Sequence, residues 1–233
     1  MTKIHTIKSK VANCFLLESE TGFVLIDTGL SRKAGKFFAY LRQANIDPGD
    51  IQLIVITHAH QDHVGGLKEI KEQTGASVLI HESEAAHLKA GKSPEVHPNA
   101  WWVKLFLSLQ KEIKITPVIP DIAMAEEYSL GDQGINGKVF HTPGHTPGSI
   151  SVIVDGKSAF IGDLAMKFPI ISGRSFEPII AQDMTQVHSS WKKIIAQGAE
   201  QIYPAHGKPF HVSSCIGQRT DLCPSRVPLL FCR

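Results

Sequence analysis

The feature that most restricts how this chain can fold is a junction in its first third. A β-branched apolar run at 51–56 gives way at once to Thr57-His58-Ala59-His60-Gln61-Asp62-His63. The run is too short for a helix and too apolar for a strand with a solvated face, so it reads as a strand buried between helices, as in parallel sheets. A helical pattern at about 64–73 and a short strand at 77–80 follow. The result is a strand, helix, strand unit whose polar loop lies at the carboxyl end of its first strand, where function usually sits in such layouts.

Upstream, residues 3–8, 12–18 and 23–27 read as strands, the last two divided by Glu20, Thr21 and Gly22, which predicts an antiparallel meander. After Asp27-Thr28-Gly29 the period changes. Ala34, Phe37, Phe38 and Leu41 recur at helical spacing, and the pattern ends before Asn45 and Pro48. Downstream, helices are expected at 82–90, 99–111 and 184–197, and strands at 138–141, 149–154, 158–161 and 201–203, with Asp155-Gly156 as a hairpin turn. Two blocks of strands, each with helices to cover an outer face, predict an α/β fold of four layers, αββα, with two mixed sheets flanked by helices.

One catalytic domain over 1–211 and a tail over 212–233 are expected. The tail carries Cys215, Cys223 and Cys232, lacks sustained periodicity, and reads as poorly ordered. Cys14, in an apolar stretch, reads as a small buried hydrophobe. Lys and Arg number 24 against 22 Asp and Glu, and the excess lies in the tail, where Arg219, Arg226 and Arg233 face Asp221. A neutral body argues against nucleic acid as a partner. There is no basic start followed by an apolar core, and no run approaches the ~18 apolar residues of a membrane span. A cytoplasmic location without a membrane partner is expected.

Twelve histidines stand out in a chain long enough to fold without a metal. Neutral imidazole and carboxylate are ligands that Zn²⁺ and its borderline neighbours accept at ~2.0–2.2 Å. On an extended piece His58 and His60 point the same way, and a turn at Gln61 swings Asp62 and His63 toward a second point. One ion cannot comfortably use all of these; two can. Three later segments each offer another ligand at a strand end beside Gly or Pro, where the backbone can turn: His145 in Thr142-Pro143-Gly144-His145-Thr146-Pro147-Gly148, Asp163 in Ile161-Gly162-Asp163, and His206 in Tyr203-Pro204-Ala205-His206-Gly207.

In that order these motifs resemble the metallo-β-lactamase fold superfamily, specifically its glyoxalase II-like hydrolase branch, over residues 11–210. The resemblance implies one ion held by His58, His60 and His145, a second held by Asp62, His63 and His206, and Asp163 between them. Asp27, in Ile26-Asp27-Thr28-Gly29, is implied to support the metal loop from behind its ligands. The expected cofactor is a pair of divalent ions, Zn²⁺ first, with Fe or Mn as alternatives.

Two such ions can share a water and lower its pKa from 15.7 toward 7, supplying a bridging hydroxide to attack an ester-like bond. Asp62 is the candidate to orient that nucleophile and shuttle its proton. A small thioester or lactone is the preferred substrate class, with β-lactam cleavage as a side activity: the commonest β-lactamase subclass places Cys where this chain has Asp163. Only about 27 residues follow His206, short of the helical extension with which glyoxalase II enzymes hold glutathione. Two alternatives remain open: a mono-iron oxidoreductase like the persulfide dioxygenases, using His58, His145 and Asp163, and a phosphodiesterase or nuclease of the same fold.

Trp101, Trp102, Leu105, Phe106 and Leu109 form an apolar face that reads either as core or as a lid for a hydrophobic substrate, in a region where relatives also make homodimer contacts. Met166, Phe168 and Ile170 are candidates to line the same pocket. His141 reads as a structural histidine. His5, His81, His87, His97, His188 and His211 read as surface or packing residues, and Glu82 and Glu84 as first-turn helix charges.

Overall fold

A computed structural model describes residues 1–8, 11–30, 34–99, 101–108, 114–167 and 176–216. Strands β1 (Lys3–Ile7), β2 (Cys14–Glu18) and β3 (Phe23–Ile26) form the expected antiparallel meander. Helix α1 (Ala34–Gln43) follows and buries the four apolar residues that defined its period. Strand β4 (Ile51–Val55) then pairs parallel to β3, and β5 (Ser77–His81) and β6 (Ile122–Met124) extend the parallel run to complete a six-stranded sheet. Between β4 and β5 the helical stretch comes as two pieces, α2 (Gln61–Val64) and α3 (Leu67–Thr74). They are separated where the Gly66 N–H donates to the Gly29 carbonyl. Helix α4 (Glu82–Ala90) and helix α5 (Trp101–Ser108) lie between β5 and β6 in the chain.

The second sheet holds β7 (Glu127–Ser129), β8 (Gly137–His141), β9 (Ile150–Val154), β10 (Ser158–Phe160), β12 (Gln201–Tyr203) and β14 (Phe210–His211). It is antiparallel except where β10 pairs parallel with β12. A two-stranded ladder joins β11 (Met166–Lys167) to β13 (His206–Gly207). Helix α6 (Met184–Ala196) begins where the Asp183 carboxylate accepts from the Thr185 and Gln186 N–H groups, a cap worth about 1 kcal/mol. It buries Val187, Trp191 and Ile194 on one stripe.

The strands are apolar on both faces, which is what makes four layers. From β2, Phe15 and Leu17 enter the core between the sheets, with Val24, Leu53, Val139, Val152 and Phe160. Leu16, between them, points outward to pack with Leu25, Ile54, Phe38, Leu41 and Ile70 under the helices of the first sheet. Ile153, Ala159 and Ile202 do the same on the second sheet, beneath Val187, Trp191 and Ile194. The expected αββα sandwich is therefore present.

Val212 is buried beside Phe210 in this outer layer, and a short helix α7 (Ser213–Ile216) follows it. The rest of the tail, from 217, lies outside the described residues, and so do Leu109, Phe168 and Ile170. Among the described residues no helix is long and apolar enough to cross a membrane.

Candidate metal centre

Topology brings the ligand segments to one end of the sandwich. β3 and β4 are parallel and lead into Asp27 and Thr57 respectively; β10 and β12 are parallel and lead into Asp163 and His206. β8 runs with β10, because each is antiparallel to β9, so the loop carrying His145 leaves from the same end. The two sheets are stitched together there, with the Ile150 N–H donating to the Thr57 carbonyl and the Asn13 N–H donating to the Ala205 carbonyl. Gly162 is required at this seam. It adopts φ +52°, and a Cβ on it would stand 2.7 Å from Thr57 Oγ1.

The first cluster is three ring nitrogens. His58 Nε2, His60 Nδ1 and His145 Nε2 lie 3.0–3.1 Å from one another. Their protonation is set from outside. Thr57 Oγ1 donates to the Asp27 carboxylate and so turns a lone pair to His58 Nδ1, 3.1 Å away; His145 Nδ1 donates to the Ile180 carbonyl at 2.8 Å. Both Nε2 atoms are then bare, facing each other and His60 with lone pairs. The three nitrogens stand close to the ligand spacing of about 3.3 Å that follows from tetrahedral bonds of ~2.0–2.1 Å. Burial, reinforced by the facing rings, holds His58 well below the usual imidazole range, His60 at about 3, and His145 lowered as well. All three are neutral, as metal ligation requires.

The second cluster is mixed. His206 Nε2 lies 3.2 Å from one Asp62 oxygen, and His63 Nε2 lies 3.9 Å from the other. His63 Nδ1 donates to Asp27 and His206 Nδ1 to the Val11 carbonyl, so both Nε2 atoms again face inward. Burial opposes charge here, but Asp27, Asp163 and Asp62 outweigh it and raise His63 well above its usual range. Asp163 and Asp62 likewise lift His206 to about 10. In return, and against the same burial penalty, His63 and His206 lower Asp62 to about 2 and hold Asp163 well below the usual carboxylate range.

Asp163 stands between the clusters. Its Oδ1 is 3.3 Å from both His63 Nε2 and His206 Nε2, and its Oδ2 is 3.6 Å from His145 Nε2. Three groups of donor atoms, His58/His60/His145, His58/His63/Asp163 and Asp62/His63/His206, each lie within 4.8 Å and could hold a metal ion. Asp62 is the most open of the carboxylates at the site, its side chain 21% exposed against 6% for Asp163 and 2% for Asp27.

Asp27 sits behind this assembly at φ +57°, a left-handed conformation that Asp tolerates better than most residues. Its carboxylate accepts from the Thr57 N–H and hydroxyl and from His63 Nδ1. One residue therefore fixes the start of the metal loop and its last histidine. His141 donates to the Pro147 carbonyl and stacks on His81 with ring centroids 4.0 Å apart, which fits a structural histidine.

Glu84 departs from its sequence reading. It does lie in the first turn of α4, but it is 1% exposed and reaches the metal loop, whereas Glu82 is exposed. Of the apolar face at 101–109, which reads as core or as lid, Trp101 is 79% and Leu105 57% exposed, while Val103 is buried. Trp101 is therefore no core residue. Its helix leaves a segment tied to the centre, since the Asn99 N–H donates to the Ile179 carbonyl and Pro98 bridges Ile180, whose carbonyl holds His145. Met166 is buried and pairs in register with His206. The side chain of Trp102 lies outside the described residues.

A family model for the metallo-beta-lactamase superfamily matches residues 9–206. The chain belongs to that superfamily. Among curated relatives, it is 31% identical over 190 residues to a probable metallo-hydrolase of Methanocaldococcus jannaschii, covering 79% of this chain and 82% of that one. It is 28% identical to a beta-lactamase-like protein 2 homolog of Drosophila melanogaster (84% of this chain, 58% of the relative). It is 30% identical to a hydroxyacylglutathione hydrolase of Pelagibacter ubique (72% and 55%). The chain thus spans little more than half the length of the last two. Among solved structures, a subclass B3 metallo-beta-lactamase of Bradyrhizobium japonicum superposes with a TM-score of 0.63 at 24% identity, over 88% of this chain and 75% of that one. The Rm3 metallo-beta-lactamase does so with 0.64 at 23%, over 94% and 79%. These likenesses speak to the fold.

Proposed function

We propose that this superfamily member is a hydrolase of ester-like bonds that works with two divalent cations, Zn²⁺ first among them. His58, His60 and His145 hold one, Asp62, His63 and His206 the other, and Asp163 faces both. The observation that carries this reading is the convergence of buried ring nitrogens of His58, His145, His63 and His206 whose other nitrogens are committed to Thr57, Ile180, Asp27 and Val11. What bound divalent cations supply is Lewis acidity, giving a water of lowered pKa at neutral pH and a polarised acyl oxygen.

The chain's own groups do the rest. Asp62, the most open carboxylate, orients the attacking water and takes its proton, because it is the acceptor at the site that solvent reaches most easily. Asp27 holds His63 in one tautomer, and the Ile180 carbonyl does the same for His145, so the ligand rings need not reorganise during reaction. Trp101 and Leu105, exposed on α5, are the candidates for an apolar wall to a small acyl substrate, and Met166, buried beside His206, is a candidate to back it.

A small thioester or lactone is the preferred class. One relative is named a hydroxyacylglutathione hydrolase, and the neutral body offers no field for a nucleic acid. The test is elemental analysis together with a panel of thioesters, lactones, phosphodiesters and β-lactams, assayed before and after chelation. Hydrolysis of an acyl substrate that disappears with the metal and returns with Zn²⁺ is expected. Full activity in the metal-free chain would contradict the reading.

A further inference from the structure

Glu84 is a buried carboxylate that the chemistry above does not use. It is 1% exposed, and its oxygens accept from backbone amides: Oε2 from the Ala59 N–H at 2.9 Å, and Oε1 from the Gly148 N–H at 3.3 Å. Ala59 lies between His58 and His60, and Gly148 is three residues past His145. A single side chain from α4 therefore clamps together the two loops, otherwise from different sheets, that supply the first cluster. The fit is tight, since a Cβ on Gly148 would stand 2.5 Å from Glu84 Cγ. The second cluster has no such tie to Glu84, as its support comes from Asp27 and Val11.

We propose that Glu84 is a positioning residue for the first metal site alone, setting the separation of the His58/His60 and His145 loops through the Ala59 and Gly148 amides. The inference rests on the two-metal reading. Its failure is separable from a failure of that reading, because wild-type metal content tests the one and variant against wild type tests the other.

The experiment compares Glu84→Gln with wild type, His60→Ala and His206→Ala, each loaded with Co²⁺ and followed by visible absorption and metal content, with circular dichroism to establish folding. Gln keeps the shape but turns an NH₂ toward one of the two amides. The expected result is a folded E84Q protein whose Co²⁺ affinity falls by about 10- to 100-fold at the site that His60→Ala abolishes and is unchanged at the site that His206→Ala abolishes. Glu82→Gln, on the exposed side of the same helix, should behave as wild type. Wild-type affinity at both sites in E84Q, or equal weakening of both, would overturn the proposal. If E84Q does not fold, Gly148→Ala, which pushes the same carboxylate away from the opposite side, decides by the same criteria. If both variants unfold, Glu84 is a determinant of the fold and the proposal fails.

Discussion

The two halves of the metal centre are built from similar residues yet are electrostatic opposites. His58, His60 and His145 are neutral, with burial and mutual proximity keeping protons off. His63 and His206, buried as well, are drawn to the protonated side because Asp27, Asp62 and Asp163 surround them. What separates the two is the company of carboxylates rather than burial. A cation entering the first half meets bare lone pairs, whereas one entering the second must displace protons.

The strongest challenge to this contrast is Asp163, the one residue common to both halves. Asp163→Ala should lose both ions on dialysis and lower hydrolysis by more than the ~10- to 100-fold typical of removing an outer partner. Retention of two ions would remove Asp163 from between the sites. Next in size, His60→Ala should lose one ion and His206→Ala the other, each leaving about one equivalent by elemental analysis. Loss of both ions from either variant would mean that the halves are not separable.

A pH series sharpens the comparison further. With His206 at about 10, affinity for the second ion should climb by about tenfold per pH unit per displaced proton through the neutral range. With His60 at about 3, the first should stay nearly flat.

The metal-free chain carries the same signature in its stability. His60 has its pKa lowered on folding, so its contribution is present above the unfolded value of about 6.5 and is lost as pH falls toward 3. That of His206 is present below about 6.5 and is lost as pH rises through 10. Melting temperatures of the chelated protein should therefore peak near neutrality and decline on both sides; a monotonic profile would contradict this. The smallest effect is expected for Trp101→Ala, outside both halves: an exposed residue should change stability by no more than about 0.5 kcal/mol while raising KM. A drop in melting temperature with KM unchanged would return Trp101 to a packing role.

The inner parts of this account were legible in the sequence because they are local. His58, His60, Asp62 and His63 fall within one turn after a strand, and His145, Asp163 and His206 each follow a strand end beside Gly or Pro. Asp27 is marked only by the resemblance of Ile26-Asp27-Thr28-Gly29 to a motif of the superfamily. Glu84 was not legible, since its partners are main-chain amides 25 and 64 residues away whose side chains carry no mark of the contact. The edge strands β6, β7, β11, β13 and β14 also escaped the reading. Each is two or three residues long, too short for a period of two to show; β6, β7 and β14 are paired by a longer neighbour, and β11 and β13 by each other. Trp101 was ambiguous because a helical apolar stripe does not say whether anything lies against it.

The central claim is that two ions occupy two unlike halves, and the most direct measurement is a Co²⁺ titration of the chelated protein at two pH values. The account predicts two equivalents taken up in two steps, the first nearly independent of pH and the second markedly weaker at the lower pH. A single equivalent at both pH values would contradict it, most sharply if iron bound in the same proportion supported oxygen consumption.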